Sequence, residues 1–391
     1  MGGLFAGLML IRAGWDVQIY EKVEGELSGR GAGIVAQPEI LAALRKLRIA
    51  TDDLGVAVQH RRLFDASGGL ILESDCPQVM TAWERVYRVL RDAFPVERYH
   101  RGRLLRAVEQ DADGATAIFD DGTRVSGDFI LGADGIRSTL RALCAPQCEP
   151  RYAGYVAWRA LVPEAAMSPK AHKDVFPCMA FCLPPGEQML GYPVAGADDD
   201  LRPGHRRYNM IWYRPADEET ELRSLLTDEN GVMHALAIPP PLIRKAAIAD
   251  MRAAAARLLA PQFVELVELA AQPILQPIFD LASEQTAFGR IALLGDAAFV
   301  ARPHVGAGVA KAAGDAEALV GALSAESDVV AALRAYETER LPAGRVMVQR
   351  ARHLGAYLQA ARNAEETAFS SRHSIPEAVL SETATLDFLY A

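Results

Sequence analysis

Cysteine, basic charge and long apolar runs are all scarce in this sequence. Five cysteines among 391 residues are few and odd in number, which argues against a disulfide framework and is typical of the reducing cytoplasm. The 41 basic residues are outnumbered by 50 acidic ones, giving a formal net charge of −9. This balance argues against a nucleic-acid partner and against adhesion to anionic lipid. The longest early apolar run, Leu4 to Ile11, is shorter than the roughly 20 residues of a membrane span.

A zinc site is also not expected. Cys144 and Cys148 form one closely spaced pair, and Cys178 and Cys182 form another. Structural zinc sites use paired ligands two to four residues apart, so the spacing alone does not decide the matter. However, the second pair lies in an apolar stretch, where a free cysteine usually behaves as a small buried hydrophobe. We therefore expect no bound metal.

The first 21 residues contain part of a dinucleotide-binding unit. An apolar helical pattern follows Gly2-Gly3 and ends at Ala13-Gly14, and a β-branched strand then ends at Glu21. Such a unit needs a strand and a glycine turn before the helix, and an acid about 20 residues on that holds the ribose. Gly3 and Glu21 suit two of these positions. The leading strand and its glycines are not seen, so we expect the natural product to begin upstream of Met1. The alternative is an ordinary helix followed by a strand.

Two later segments strengthen the dinucleotide interpretation. The first is Gly132-Ala133-Asp134-Gly135-Ile136-Arg137-Ser138, and the second is Gly295-Asp296-Ala297-Ala298 with Pro303 to Gly308. Each follows a strand of buried type and places an aspartate where that strand ends. Ligands of open α/β sheets bind at the carboxyl ends of the strands. The glycine turn at Gly306 and Gly308, ahead of a helix, would offer backbone N–H groups to an electron-rich or anionic group.

These two segments resemble the second and third FAD fingerprints of the single-component aromatic hydroxylases, the para-hydroxybenzoate hydroxylase type of flavoprotein monooxygenase. The resemblance covers essentially the whole chain. Four further segments are similar to a subgroup of that family: Arg30-Gly31-Ala32-Gly33-Ile34, Tyr87-Arg88-Val89-Leu90, Tyr152 to Arg159 and Gly295 to Phe299. Many relatives carry histidine where Phe299 stands.

The resemblance implies an α/β protein with a glutathione-reductase-like FAD-binding fold, its N-terminal strand missing, and an inserted α+β substrate domain. The expected FAD-binding domain is discontinuous, with residues 1–59, 84–150 and 276–345. The substrate domain takes residues 60–83 and 151–275, and a helical tail takes residues 346–391. A homodimer is a further implication of the family.

The resemblance also implies cofactor contacts. Glu21 would bind the adenosine ribose and Asp296 the ribityl chain, whereas Asp134 would serve the second fingerprint. The complete set of implied FAD contacts is Gly2, Gly3, Glu21, Lys22, Arg30, Arg88, Asp134, Gly135, Asp296, Pro303, Gly306, Ala307, Gly308 and Val309.

The expected reaction uses FAD, NAD(P)H and O2 to hydroxylate a small electron-rich aromatic or N-heteroaromatic ring. Because the cofactor carries the difficult chemistry, the protein needs no catalytic triad or metal cluster. A base that removes the ring hydroxyl proton would assist. The candidates are His304 beside the glycine loop and Tyr155, with Tyr192, His205 and Tyr208 as further options, while Arg159 would anchor an anionic ring substituent.

Two alternatives remain open at this stage. One is a non-oxygenating FAD-dependent reductase or dehydrogenase on the same scaffold. The other is a non-functional truncated product that holds no FAD. A tyrosine in a strand is usually part of the core, and a loop histidine is usually solvated, so each candidate base also has an ordinary structural explanation.

Overall fold

The structure is a computed structural model that describes residues 1–25, 27 and 33–389. The helices are α1 (Gly2–Arg12), α2 (Pro38–Lys46), α3 (Trp83–Ala93), α4 (Thr139–Cys144), α5 (Pro169–Val175), α6 (Arg223–Leu226), α7 (Lys245–Leu258), α8 (Pro261–Leu269), α9 (Gly308–Ala325), α10 (Val329–Gly355), α11 (Ala364–His373) and α12 (Pro376–Glu382).

The strands are β1 (Ile19–Glu21), β2 (Gly33–Val35), β3 (Val56–Phe64), β4 (Leu70–Ala82), β5 (Tyr99–Arg101), β6 (Leu105–Gln110), β7 (Ala115–Phe119), β8 (Arg124–Gly127), β9 (Ile130–Gly132), β10 (Arg151–Pro163), β11 (Met179–Cys182), β12 (Gln188–Val194), β13 (Arg207–Pro215), β14 (Ile274–Ala282), β15 (Ala287–Phe288), β16 (Ile291–Leu293) and β17 (Phe299–Val300).

Two parallel strand pairs form the side of the molecule where the sequence predicts nucleotide binding, here called the nucleotide-binding side. Strand β1 pairs with β5, and β9 pairs with β16. Within the described residues, no strand lies between β1 and β9. A cavity of about 470 Å³ is lined there by residues of both strands, including Ile19, Glu21, Ile130 and Gly132. The space therefore separates two half-sheets that face each other across it.

A nine-stranded sheet, in the order β17-β14-β10-β13-β12-β11-β3-β4-β2, forms the rest of the scaffold. One face packs on helices α5, α7 and α8 around buried residues such as Trp158, Met210 and Trp212. The opposite face carries Tyr155, Tyr192 and Tyr213 in a separate buried cluster. Because side chains alternate along a strand, neighbouring residues of β10 and β13 contribute to different faces.

The C-terminal segment packs against the second face and against the nucleotide-binding side. Val379, Leu380 and Ala384 join the cluster of Tyr155 and Tyr192. Leu386 packs with residues of α1, α2 and α9. The tail therefore bridges both parts of the fold.

Several elements match the sequence-based expectations. Gly14 ends the first helix with φ +92°, the left-handed conformation expected of a helix C-terminal glycine. The β3–β4 hairpin turns at Ser67-Gly68-Gly69, and β6, β7 and β8 form the expected meander. The last strand of that region, β9, differs, because it leaves the meander and pairs with β16. In the described part of the chain, no helix is both long and apolar enough to cross a membrane.

A buried ion pair fixes the turn after β16. Gly295 has φ +66°, and its backbone N–H donates to Asp315 Oδ2 at 3.0 Å. Arg340 Nε donates to the other oxygen of Asp315 at 2.8 Å. Asp315 on α9 thus joins the turn to α10 through α9.

We expect Asp315→Ala to lower the free energy of unfolding by about 3 kcal/mol or more, because removing one partner leaves Arg340 and Gly295 N–H uncompensated in a buried site. The control is Asp328→Ala, which removes the exposed cap that accepts from Ala331 N at 2.8 Å and should cost only about 1 kcal/mol. Urea unfolding curves measure both. Equal losses in the two variants would contradict the assigned role of Asp315.

Candidate functional site: a flavin site at the edge of the parallel strands

The parallel pairing of β9 with β16 brings Asp134 and Asp296 to one edge. Leu293 is in register with Gly132, and Leu294 N donates to Gly132 O at 2.9 Å. The chain then leaves each strand and reaches its aspartate within three residues. The two segments, far apart in sequence, therefore converge as expected from ligand sites at strand carboxyl ends.

The two aspartates differ in their environment. Asp134 Oδ2 accepts from Leu140 N at 3.2 Å, at the start of α4. Asp296 is about half exposed at its side chain, and its Oδ1 accepts from the buried Lys311 Nζ at 3.2 Å. Asp296 Oδ2 therefore remains available to a hydroxyl group of a ligand.

Glu21 lies at the same site, at the end of β1. Its Oε1 accepts from Val23 N at 2.9 Å. Burial lowers the pKa of the Met1 amino group, and the nearby charges of Glu21 and Asp296 oppose that shift. The carboxylates of Glu21 and Asp296 therefore both lie near the Met1 amino group. Many of the expected cofactor contacts line the 470 Å³ cavity there, namely Gly3, Glu21, Lys22, Asp134 and Gly135, and Gly2 packs against Leu294 beside it.

The glycine loop adds a helix N-terminus. Pro303 to Val305 form a single turn, Gly306 has φ +61°, and α9 starts at Gly308. Among the described residues, no side chain caps the first turn of α9, and a Cβ placed on Gly308 would meet none of their atoms within 4 Å. Ala307 precedes the helix as its cap residue and Val309 lies in its first turn. The uncapped N–H groups suit an electron-rich group.

His304 and Tyr155 form a buried hydrogen-bonded pair. Tyr155 Oη and His304 Nε2 are 2.8 Å apart, and both side chains are almost fully buried. Desolvation, with a smaller contribution from the charge of Arg302, lowers the pKa of His304 to about 3. Burial raises the pKa of Tyr155 well above its usual value, although Arg302 opposes this shift. At neutral pH both groups are uncharged, and Tyr155 donates to the imidazole.

An arginine network lies beside this pair. The Arg302 guanidinium lies 5.8 Å from the centre of the Tyr155 ring. Its Nε donates to Asp280 Oδ2 at 2.8 Å, and its Nη1 donates to Gln359 Oε1 at 2.9 Å. Arg352 Nη2 donates to Asp280 Oδ1 at 2.6 Å. The network holds one positive charge next to Tyr155.

Gly355 packs directly against the Tyr155–His304 pair. A Cβ at Gly355 would lie 2.5 Å from Tyr155 Oη and 3.0 Å from the His304 ring. The end of α10 can approach this closely only because residue 355 has no side chain. The C-terminal tail contacts the same loop, where Ala384 N donates to His304 O at 2.7 Å.

Two expected site residues have protein partners of their own, and one lies outside the described residues. Arg88 forms ion pairs with Asp199 at 2.8 Å and Glu84 at 3.0 Å. Arg159 lies four residues after Tyr155 in β10, so its side chain is on the same face of the sheet. Its Nη1 donates to Gln276 Oε1 at 2.7 Å. Arg30 falls in the part of the chain that the structure does not describe.

The other candidate bases and the cysteines lie elsewhere. Tyr192 is buried on the face of Tyr155, whereas Tyr208 is buried on the opposite face. His205 is exposed and lies 3.6 Å from Asp200. Cys178 and Cys182 belong to the core around Trp212. Across residues 1–25, 27 and 33–389, no three His, Cys, Asp or Glu side chains form a metal-binding cluster.

Sequence reasoning missed Asp280, Arg302, Gly355 and the C-terminal tail. Arg302 is one residue before Pro303 of the glycine loop, so its position in that motif was the one available signal. Asp280 and Gly355 carry no local signal, because their roles arise only when β14 and α10 pack against the loop.

The residues present fit FAD. The cavity at Glu21 and Asp134, the available oxygen of Asp296 and the uncapped start of α9 together provide an acid for ribose, a polar contact for the ribityl chain and N–H donors for the flavin ring. A fold with these three parts around one cavity fits a flavin-dependent oxidoreductase.

Comparisons with known proteins agree with this class. Residues 152–280 match a family described as FAD binding domain-like, and residues 271–351 match one described as FAD binding domain. The chain is 30% identical over 360 residues to 2,6-dihydroxypyridine 3-monooxygenase of Paenarthrobacter nicotinovorans, covering 92% of this chain and 89% of that protein. The chain therefore belongs to the FAD-dependent monooxygenase family. The four segments that resemble a subgroup of this family are similar to this same enzyme.

Two further comparisons extend the likeness. The chain is 27% identical over 369 residues to 3-amino-4-hydroxybenzoate 2-monooxygenase of Streptomyces cremeus, covering 90% of this chain and 84% of the relative. The solved structure of 2,6-dihydroxypyridine-3-hydroxylase from Arthrobacter nicotinovorans matches with a TM-score of 0.85 and 29% identity. That match covers 94% of this chain and 93% of the other.

The buried neutral state of His304 predicts a pH-dependent stability. Its folded-state pKa of about 3 lies below the roughly 6.5 expected when unfolded. The unfolded chain therefore binds the extra proton, and this part of the stability is intact above about pH 6.5 and is lost as pH falls toward 3.

We expect the unfolding free energy of the protein, minus that of the His304→Gln variant, to fall by about 1.4 kcal/mol per pH unit below pH 6.5. Urea unfolding of both proteins between pH 4.5 and 7.5 measures this difference. A difference that stays constant with pH would contradict a neutral buried His304.

Proposed function

We propose that this FAD-dependent monooxygenase uses NAD(P)H and O2 to hydroxylate a small electron-rich ring of the phenol or hydroxypyridine type. The observation that carries the proposal is the position of the Tyr155–His304 pair within the same loop region as the uncapped helix α9, where the flavin ring would lie. A substrate hydroxyl next to this loop would be in reach of both an oxidising cofactor and a proton acceptor.

FAD, when bound, supplies the hydride acceptance and oxygen activation that amino-acid side chains cannot provide. Glu21, Asp134, Asp296 and the loop from Pro303 to Val309 would hold it. The Tyr155 and His304 side chains are almost fully buried, which strengthens the electrostatic interactions made there.

The protein's own contribution is a hydrogen-bond relay. The ring hydroxyl would donate to Tyr155 Oη while Tyr155 donates to His304 Nε2, so the neutral pair would orient the hydroxyl and draw its proton away from the ring. Arg302 lies close enough to favour a developing negative charge on Tyr155. Arg159 would bind an anionic substituent on the far side of the ring.

Among α/β folds with parallel strands, we assign the FAD-binding part of this chain to the glutathione-reductase-like type. In its support, β1–β5 and β9–β16 are parallel pairs with unpaired edges facing one cavity. One further strand in that space would join them into a single sheet. The division into an FAD-binding domain of residues 1–59, 84–150 and 276–345, a substrate domain of residues 60–83 and 151–275, and a tail of residues 346–391 is proposed with it, as is homodimer formation.

The activity test measures NAD(P)H oxidation by the FAD-loaded protein with phenols, salicylates and hydroxypyridines, and follows ¹⁸O₂ into product. The proposal predicts oxidation stimulated by substrate and one labelled oxygen in the ring product. NAD(P)H oxidation that gives hydrogen peroxide and no hydroxylated ring across the panel would favour the reductase alternative instead.

Asp296→Ala is predicted to weaken FAD binding at least tenfold, since a hydrogen bond to a charged group contributes about 1.5–3 kcal/mol. The matched control is Asp113→Ala, in the exposed turn of the β6–β7 hairpin. Fluorescence titration of apoprotein with FAD gives both dissociation constants. If Asp296→Ala binds FAD as the unmodified protein does, Asp296 is not a cofactor ligand.

A further inference from the structure

Asn209 of β13 is a buried amide with an unused donor. The residue has 0% exposure, and its Nδ2 has no hydrogen-bond partner among the described residues. Its Oδ1 accepts from Gly33 N at 3.2 Å. Because that partner is a donor, the oxygen must face Gly33, and the amide nitrogen must point the other way. A buried N–H group without an acceptor is unusual and calls for an explanation.

A second unused donor lies on the same sheet face. Arg159 Nε is also buried and has no partner in the part of the chain that the structure describes, although its Nη1 donates to Gln276. In the β10–β13 register, Arg159 is opposite Ile211, two residues from Asn209. Such diagonal neighbours are about 7–8 Å apart and share one face. Tyr192 lies directly opposite Asn209 on the other side, in β12.

The phenols on this face do not satisfy these donors. Burial raises the pKa values of Tyr192 and Tyr213, so both phenols stay protonated at neutral pH, and neither oxygen is a hydrogen-bond partner of Asn209 Nδ2 or Arg159 Nε. The face therefore offers hydrogen-bond donors in excess, and an acceptor-rich ligand would complete it.

We propose that Asn209 is a substrate-recognition residue whose Nδ2, beside Arg159 Nε, donates to acceptor atoms on the edge of the substrate ring. This inference rests on the proposed ring hydroxylation and names its substrate class: N-heterocycles that carry carbonyl or enolate oxygens and so present two or more acceptors. A simple phenol, with one oxygen, leaves one of the two donors unpaired and binds more weakly.

The test uses the FAD-loaded protein and two ligands, 2,6-dihydroxypyridine and phenol. Their dissociation constants are read from the change in flavin absorbance. The unmodified protein is expected to bind the pyridine at least tenfold more tightly than phenol. Asn209→Leu, which removes the donor but keeps the volume, should reduce that ratio to near one by weakening the pyridine alone.

The matched control is Tyr208→Phe. It removes a buried hydroxyl from the adjacent residue of β13, whose side chain faces the opposite core. The ratio should stay unchanged in this variant. Asn209→Ser, a smaller change that also removes the amide, provides a second readout if Asn209→Leu does not fold, and it should lower the ratio in the same way.

The outcomes separate this inference from the function itself. If the unmodified protein hydroxylates no ring in the panel, the proposed function fails. If it hydroxylates a ring but the Asn209 variants keep the binding ratio, or if the unmodified protein shows no preference, the role of Asn209 is overturned. A tenfold loss of FAD affinity in both Asn209 variants also overturns it, because the donor would then serve the cofactor.

Discussion

The parallel pairing of β9 with β16 is the constraint on which the site depends. The two strands are separated by about 160 residues of sequence, yet their register aligns Gly132 with Leu293 and sends both chains out at the same edge. Most of what would hold a flavin follows from that edge, namely Asp134, Asp296 and the loop that leads into α9, whereas Glu21 comes from β1 across the cavity. The buried Asp315–Arg340 pair then fixes the turn that presents Asp296.

Burial sets the charge state of the Tyr155–His304 pair. Tyr155 and His304 are uncharged because burial disfavours their ionised forms, and the nearby Arg302 stays compensated by Asp280. Gly355 lets α10 close directly over the pair. Ala384, with φ +53°, bonds to the His304 carbonyl from the C-terminal tail. The loop that carries His304, the end of α10 and the C-terminal tail therefore pack around the Tyr155–His304 hydrogen bond, although they are distant in sequence.

The sequence was sufficient for the parts of the fold that local chemistry encodes. Glycine and aspartate turns located the β3–β4 hairpin and the β6–β8 meander, and the fingerprint motifs located Asp134 and Asp296. It was insufficient where tertiary contacts decide. The partner of β9, the ion pairs of Arg88 and the contacts of Asp280 and Gly355 depend on which elements pack together. Asn209 carries no motif, and its unused donor is visible only once the Gly33 contact is known.

The most direct test of the account is a crystal structure of the protein with FAD bound. The account predicts adenosine near Glu21, the ribityl chain within hydrogen-bond distance of Asp296, and the flavin ring against the loop from Pro303 to Val309. FAD located elsewhere, with Asp134 and Asp296 free of contact with it, would contradict the central claim that these two strand ends form one cofactor site.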